Sequence, residues 1–261
     1  MERTGRHAFL VASGILLSRL AGLVRQRFFA HFFGQRTDAA DAFMTAIRIP
    51  NLLQNLFGEG VLSASFIPVY ARLLAEGDEE ESGRVAGAVG ALLALVTSVL
   101  VLIGVLATPL FIDAIALGFE GEKRQLTIAI VRILFPGAGL LVLSAWCLGI
   151  LNSHRKFFIS YTAPVIWNAA MIATLVMFGG RIAESPLAMT LAWGSVAGSA
   201  LQVGVQLPMV LRLARCLRLR LELQSVQVRE VIRNFVPIAG TLERSLFSAR
   251  HSRADVQDAL R

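Results

Sequence analysis

The sequence predicts an all-α, polytopic transmembrane helical bundle with about six complete membrane spans and a truncated seventh. Three observations lead there. Hydrophobic residues make up 55% of the 261 residues and charged residues only 16%, with a mean hydropathy of +0.64. Four stretches, Val85 to Ile112, Ile133 to Ser153, Phe157 to Gly180 and Ser185 to Leu211, contain no Asp, Glu, Lys or Arg. Each reaches the about 20 residues that a helix needs to cross a bilayer core, and a buried soluble helix of that length ordinarily keeps a polar face. Finally, the basic residues gather at the ends of these apolar runs.

In chain order, the pattern predicts helices over 8–33, 41–74, 86–112, 125–152, 158–180 and 186–212, and a seventh beginning near Val228. With a cytoplasmic N-terminus, the inside segments hold twelve Arg and Lys residues, among them Arg72, Arg84, Arg155, Lys156, Arg212, Arg215 and Arg218. The outside segments hold four: Arg36, Lys123, Arg124 and Arg181. That asymmetry is the positive-inside signature of the orientation. The acidic run Glu76, Asp78, Glu79, Glu80 and Glu81 reads as a solvated loop, and carboxylates contribute little to the rule. The chain divides into a six-helix lobe over 1–225, the start of a seventh helix over 226–240 and an atypical polar tail over 241–261. That tail holds seven charged residues and cannot span lipid.

The net charge of +7 would point to nucleic acid in a soluble protein, but the basic residues flank apolar runs and are not interleaved with aromatics that stack bases. Nucleic-acid binding is therefore excluded as a reading. Cys147 and Cys216 are too few and too scattered for a disulfide or metal framework. The apolar run from Ala8 contains Arg19, Arg25 and Arg27 and lacks the pattern of a cleaved signal. There is no phosphate-binding glycine loop, metal-ligand spacing or nucleophile motif, so the sequence predicts neither a cofactor nor an enzyme.

The chemistry concentrates in the first two segments. Asp41, Arg48, Asn51, Asn55, Glu59 and Ser63 follow at intervals of 7, 3, 4, 4 and 4, which places them on one helical face. Pro50 predicts a kink, and Gly58 and Gly60 loosen the backbone around Glu59. A polar stripe of this kind lines a cavity or lies in the membrane interface; its shortage of Lys and Arg favours the cavity. In the first segment Arg25 and Arg27 are close enough to a helix end to snorkel. Arg19 is nearer the middle, where an arginine has to face protein or a water-filled cavity. A cavity with several cations suits an anionic ligand, since guanidinium pairs two-point with phosphate oxygens. Asn152, Asn168 and Gln202 read as interhelical hydrogen-bonding residues, and Trp146, Trp167 and Trp193 as packing or interface residues.

Five stretches carry a family resemblance: Leu17 to Arg25 (LSRLAGLVR), Asp41 to Met44 (DAFM), Ile49 to Leu53 (IPNLL), Phe57 to Gly60 (FGEG) and Ser65 to Pro68 (SFIP). With Phe135-Pro136, Gly149 to Ser153 and Ala163 to Asn168, they resemble the MurJ/MviN lipid II flippases of the multidrug/oligosaccharidyl-lipid/polysaccharide exporter superfamily, over roughly residues 8–240. The resemblance implies a multi-pass protein of the bacterial inner membrane with a cytoplasmic N-terminus. It also implies lipid II, the undecaprenyl-pyrophosphate-linked peptidoglycan precursor, as partner beside the membrane lipids, moved between leaflets by alternating access. By motif position, Arg19 and Arg25 would engage the pyrophosphate, while Asp41, Asn51 and Glu59 would serve the cavity or its gate. Arg48 and Asn55 belong to the same wall. Two departures stand out: Gln54 occupies a position where many members have arginine, and the family runs to about twice this length. The sequence therefore reads as an N-terminal half lacking a C-terminal half. The alternatives are a drug exporter of the same superfamily, a non-functional fragment or a membrane scaffold.

Overall fold

The computed structural model describes residues 2–34, 37–57, 62–116, 118–219 and 227–233, with side chains from residue 12 onward. The described residues are helical apart from short connections: α1 (Glu2–Phe33), α2 (Asp38–Gln54), α3 (Leu62–Glu76), α4 (Glu79–Leu106), α5 (Thr108–Ile115), α6 (Gly121–Ser153), α7 (Phe157–Phe178) and α8 (Glu184–Leu213). A further short helical stretch occupies 227–233, where the seventh helix was expected. Glu59, the run over 234–240 and the tail over 241–261 lie outside the described residues. Among the described helices four, α4, α6, α7 and α8, are long and apolar enough to cross a membrane.

The predicted second span, 41–74, is two helices rather than one. α2 starts at Asp38 because the Thr37 hydroxyl accepts the Ala40 N–H at 3.2 Å, and Asp38 and Asp41 sit in the first turn where the helix dipole favours acids. It runs through Pro50 to Gln54, loosens into a wider π turn over 55–57, and α3 begins at Leu62. Among the described residues the α-helix therefore continues past the proline and gives way at 55–57.

The predicted third span is also divided, and Pro109 supplies the reason. Lacking an N–H, it cannot bond the Val105 carbonyl one turn back. That carbonyl instead accepts from Arg132 Nε at 3.3 Å, while the Thr108 hydroxyl bonds the Gly104 carbonyl at 2.7 Å. α4 consequently ends at Leu106 and α5 follows as a short separate helix. At its other end α4 reaches further than predicted. Asp78 accepts the Glu81 N–H at 2.9 Å, so Asp78 to Glu81 form the cap and first turn of α4 instead of a loop, while Glu76 ends α3. Arg84 closes onto Glu80 and Glu81 from the next turn.

α6 is the hub, packing against α2, α3, α4, α5, α7 and α8. Small residues make this possible. α2 presents buried Ala39, Ala40, Ala42 and Ala46, and α6 brings Trp146 onto Gly90 of α4, where its indole N–H bonds the Ala86 carbonyl at 3.1 Å. In lipid, where apolar burial between helices gains little, such close backbone approach is a main source of association. The remaining helices form a sequence in space: α8 packs on α6, α7 on α8, and α1 on α7.

The connection leaving α8 crosses α4 at Gly83 and Gly87, one helical turn apart. A Cβ at Gly83 would lie 2.7 Å from the Cys216 carbonyl carbon, and one at Gly87 would collide with the Arg218 backbone. Arg72 of α3 then holds the 227–233 helix through a bidentate pair with Glu230, at 2.8 and 3.4 Å. At the same end of the bundle the Tyr70 hydroxyl and His154 Nε2 are hydrogen-bonded at 2.9 Å, and burial holds His154 below the ordinary histidine value.

Two outcomes follow from these contacts. Gly87→Val should destabilise the chain by about 1–3 kcal/mol through overpacking, read as a lowered unfolding midpoint in detergent. An unchanged midpoint would mean that the close crossing is not made. The hydrogen bonds from Arg72 hold the Glu230 carboxyl below its usual range, so the contact is intact at neutral pH and is lost as pH falls through that lowered value. A spin-label distance between α3 and 227–233 should lengthen on acidification in the unmodified chain. In Glu230→Gln it should be pH-independent.

Candidate functional site

α1 and α2 meet at one end and part at the other. Phe29 of α1 stacks on Phe33 at 4.6 Å and tilts against Phe43 of α2 at 5.5 Å, and Phe33 and Phe43 are buried in the same core cluster. Away from this contact the two helices diverge, since α1 follows α7 while α2 follows α6. The wedge between them is a cavity of about 490 Å³. Its walls are Ser18 and Arg19 of α1, Gln54 at the end of α2, Ser63 of α3, Ser144 and Asn152 of α6, Ser160 and Tyr161 of α7 and Gln202 of α8, with apolar residues between them. Those of α1, α6 and α7 come from the middle of α1, the C-terminal half of α6 and the start of α7. The cavity therefore lies toward the end of the bundle that carries the 154–156 connection.

The structure distributes the predicted site residues over three places. Arg19 lines the cavity and is the only charged residue among its described lining residues. Arg25, six residues on and so about 120° around the helix, faces α7 instead. Its guanidinium lies 4.8 Å from the centre of the Trp167 ring and its Nη1 is 3.5 Å from the Met171 sulfur. Trp167 is held for this by its indole N–H, which donates to Ser195 Oγ of α8 at 3.1 Å. Asp41 is at the opposite end of the wedge, where it and Asp38 grip Lys123 of α6 at 2.8 and 3.0 Å. Lys123 also sits 4.5 Å above the Phe119 ring. Arg48 and Asn55 are exposed and Asn51 is half-buried on the face of α2 turned away from α6.

Several members of this arrangement were not visible as site residues in the sequence. Lys123 had counted only as a flanking charge, and Trp167 only as packing. The sequence did place Gln202 as an interhelical hydrogen-bonding residue, and its amide donates to Ser144 Oγ at 2.7 Å while Ser144 bonds Gln206 Oε1 at 2.6 Å. Asn168 behaves differently, its amide bonding the Pro164 carbonyl within its own helix at 3.0 Å. The buried Asn152 Oδ1 has no hydrogen-bond partner.

The all-helical arrangement of the described residues, with four membrane-length apolar helices and a polar wedge among them, defines a helical membrane protein. The family described as Lipid II flippase MurJ matches residues 29–249. The Lipid II flippase MurJ of Burkholderia cenocepacia is 34% identical over 204 residues, covering 77% of this chain and 39% of that protein. Among solved structures, Lipid II flippase MurJ in an inward closed conformation superposes with a TM-score of 0.65 at 23% identity, covering 88% of this chain and 47% of that one. A MATE protein in complex with MaD3S gives 0.67 at 14% identity, covering 89% and 52%. The chain belongs to the MurJ lipid II flippase family, and its fold is shared with the MATE protein. It spans about two fifths of the length of the Burkholderia cenocepacia relative.

The stacking of Arg25 can be tested directly. Trp167→Leu should cost about 1–2 kcal/mol of stability by removing a desolvated cation–π contact, and Arg25→Lys should recover only part of what Arg25→Ala loses. Equal unfolding midpoints for Arg25→Lys and Arg25→Ala would show that the planar stack contributes nothing.

Proposed function

We propose that this chain forms one lobe of a transporter that moves lipid II from the cytoplasmic to the periplasmic leaflet of the bacterial inner membrane. Family membership supports the substrate, and the wedge with Arg19 as its charged lining residue is the observation that carries the reading to this chain. The pyrophosphate of a lipid-linked precursor is the group a guanidinium in an apolar wall would select, because two parallel N–H···O bonds satisfy both partners away from water.

In this reading the N-terminus and the wedge opening are cytoplasmic, matching the basic residues at that end, and the Phe29, Phe33 and Phe43 contact closes the periplasmic end. The state is then one of the two required by alternating access. A second helical lobe facing α1 and α2 completes the cavity, with Gln54, Asn51, Asn55, Arg48 and Glu59 along the shared wall. Arg25 and Asp41 act beside the cavity, as the anchors of α1 on α7 and of α2 on α6. No bond in the precursor is broken.

The fold shared with a MATE protein favours one rival, export of small organic cations, and charge separates the two. Supplied together with a second lobe in cells depleted of their own flippase, the chain should restore lipid II to the outer leaflet. Arg19→Ala should lower that transport at least about tenfold, the scale of one charge-assisted hydrogen bond of 1.5–3 kcal/mol, with Arg19→Lys intermediate. A rise in organic-cation export with Arg19→Glu, and no change in lipid II, would sink the proposal.

A further inference from the structure

A second opening, of about 370 Å³, lies between α4 and α6, flanked by Ala94, Ser98 and Val101 on one side and Pro136, Leu140 and Leu143 on the other. Its floor is Gly139, where a Cβ would lie 3.1 Å from Val101 Cγ2 and 3.4 Å from Thr97 Cγ2. Ser144, Leu148 and Asn152, which line the wedge, are turned roughly 120° or more around α6 from this groove. Ser98 and Pro136 are exposed, and Leu102 and Leu106 further along α4 are 59% and 69% exposed. The groove therefore opens on an apolar outer face, away from the wedge. From Pro136 to Leu143 it runs about 10 Å along α6, the length of a stretch of acyl chain.

At one end the groove meets a cation. Arg132 is one helical turn from Pro136 and Val105 one turn from Val101, and Arg132 Nε donates to the Val105 carbonyl at 3.3 Å. This bond pins the guanidinium across the end of the groove and leaves the N–H groups of both terminal nitrogens uncommitted to any carboxylate among the described residues. Asp113 of α5 is already held by Arg124, at 2.8 and 3.0 Å. The charge-free run of α6 begins at the next residue, Ile133, and extends to Ser153, about 30 Å of helix and so the thickness of a bilayer core. Arg132 thus stands at the boundary between acyl chains and headgroups, directly above an apolar groove.

We propose that Arg132 and the α4–α6 groove bind one phospholipid with an anionic headgroup, in the leaflet at the α5 end of the bundle. The phosphate sits on the terminal nitrogens of Arg132 and one acyl chain lies in the groove. An arginine at this depth needs an anion or water, and a lipid phosphate is the anion that the bilayer supplies there. A zwitterionic headgroup brings its own cation beside the guanidinium and pairs less well, so the site selects for net negative charge. This site is separate from the wedge and does not depend on what the wedge carries.

The test uses phosphatidylglycerol and phosphatidylcholine carrying the same photoreactive diazirine acyl chain. Each is diluted into nanodiscs of unlabelled phosphatidylcholine that hold the full chain, and cross-linked peptides are mapped by mass spectrometry. Phosphatidylglycerol should label the segments 94–101 and 136–143 about fivefold more than phosphatidylcholine, the scale of one basic residue acting on an anionic headgroup. Arg132→Gln should abolish that preference, and Arg132→Lys, which keeps the charge, should retain most of it. Ser98→Trp, at the mouth of the groove, should lower labelling there by both lipids. Labelling around Arg212, Arg215 and Arg218, beside the opposite end of α4, should be the same in every variant. Equal groove labelling by the two lipids in the unmodified chain overturns the proposal without recourse to any variant. A preference that survives Arg132→Gln, or groove labelling untouched by Ser98→Trp, overturns it as well. Absence of groove labelling by either lipid also overturns it, and means that another helical lobe or a second copy of the chain covers this face.

Discussion

A guanidinium partway along an apolar helix has to be given water, an anion or the face of an aromatic ring, and the arrangement of α1 follows from that requirement. Arg25 takes the third option on Trp167, which binds α1 to α7 and, through Ser195, to α8. Among the described residues Arg19 is given neither ring nor carboxylate, and it lines the cavity. Had α1 packed along α2 for its full length, Arg19 would have been sealed against apolar side chains. The wedge is thus as much a consequence of charge as of shape.

Proline and glycine set the rest of the geometry by deciding where backbones part and where they touch. Pro109 frees a carbonyl that Arg132 reclaims, and α4 gives way to α5 at that point. Gly83, Gly87 and Gly90 let three different neighbours approach α4 on successive turns: Cys216, Arg218 and Trp146. Alanines do the same for α2 on α6. With helices this close, the few buried polar groups meet across them, as Gln202, Ser144 and Gln206 do.

Much of this was legible in the sequence, and the exceptions have common causes. Charge-free runs located the four apolar spans to within a few residues at most ends, because length and composition dominate that problem. The polar spacing of α2 identified its exposed face, but the alanines that define the opposite, packing face were overlooked, since small residues give weak hydropathy contrast. The α-helix runs on through Pro50 to Gln54, which spacing alone did not show, and the single helix expected over 41–74 is described as α2 and α3. Lys123 and Trp167 could not be assigned from spacing, because their partners Asp41 and Arg25 lie 82 and 142 positions away along the chain. Only the packing of α2 on α6 and of α1 on α7 brings them together.

The aromatic contact of Phe29 with Phe43 lies about ten residues beyond Arg19, or about 15 Å along the helix. A rotation of α1 about that contact would act as a lever whose long arm ends at the cavity. A rotation of about 10° there displaces Arg19 by about 2.6 Å, from the 15 Å arm. That is enough to make or break a two-point grip on a phosphate while leaving the rings in van der Waals contact. In the proposed lipid-precursor reading, such a rotation would change the cavity's hold on an anion without any helix of the lobe unwinding.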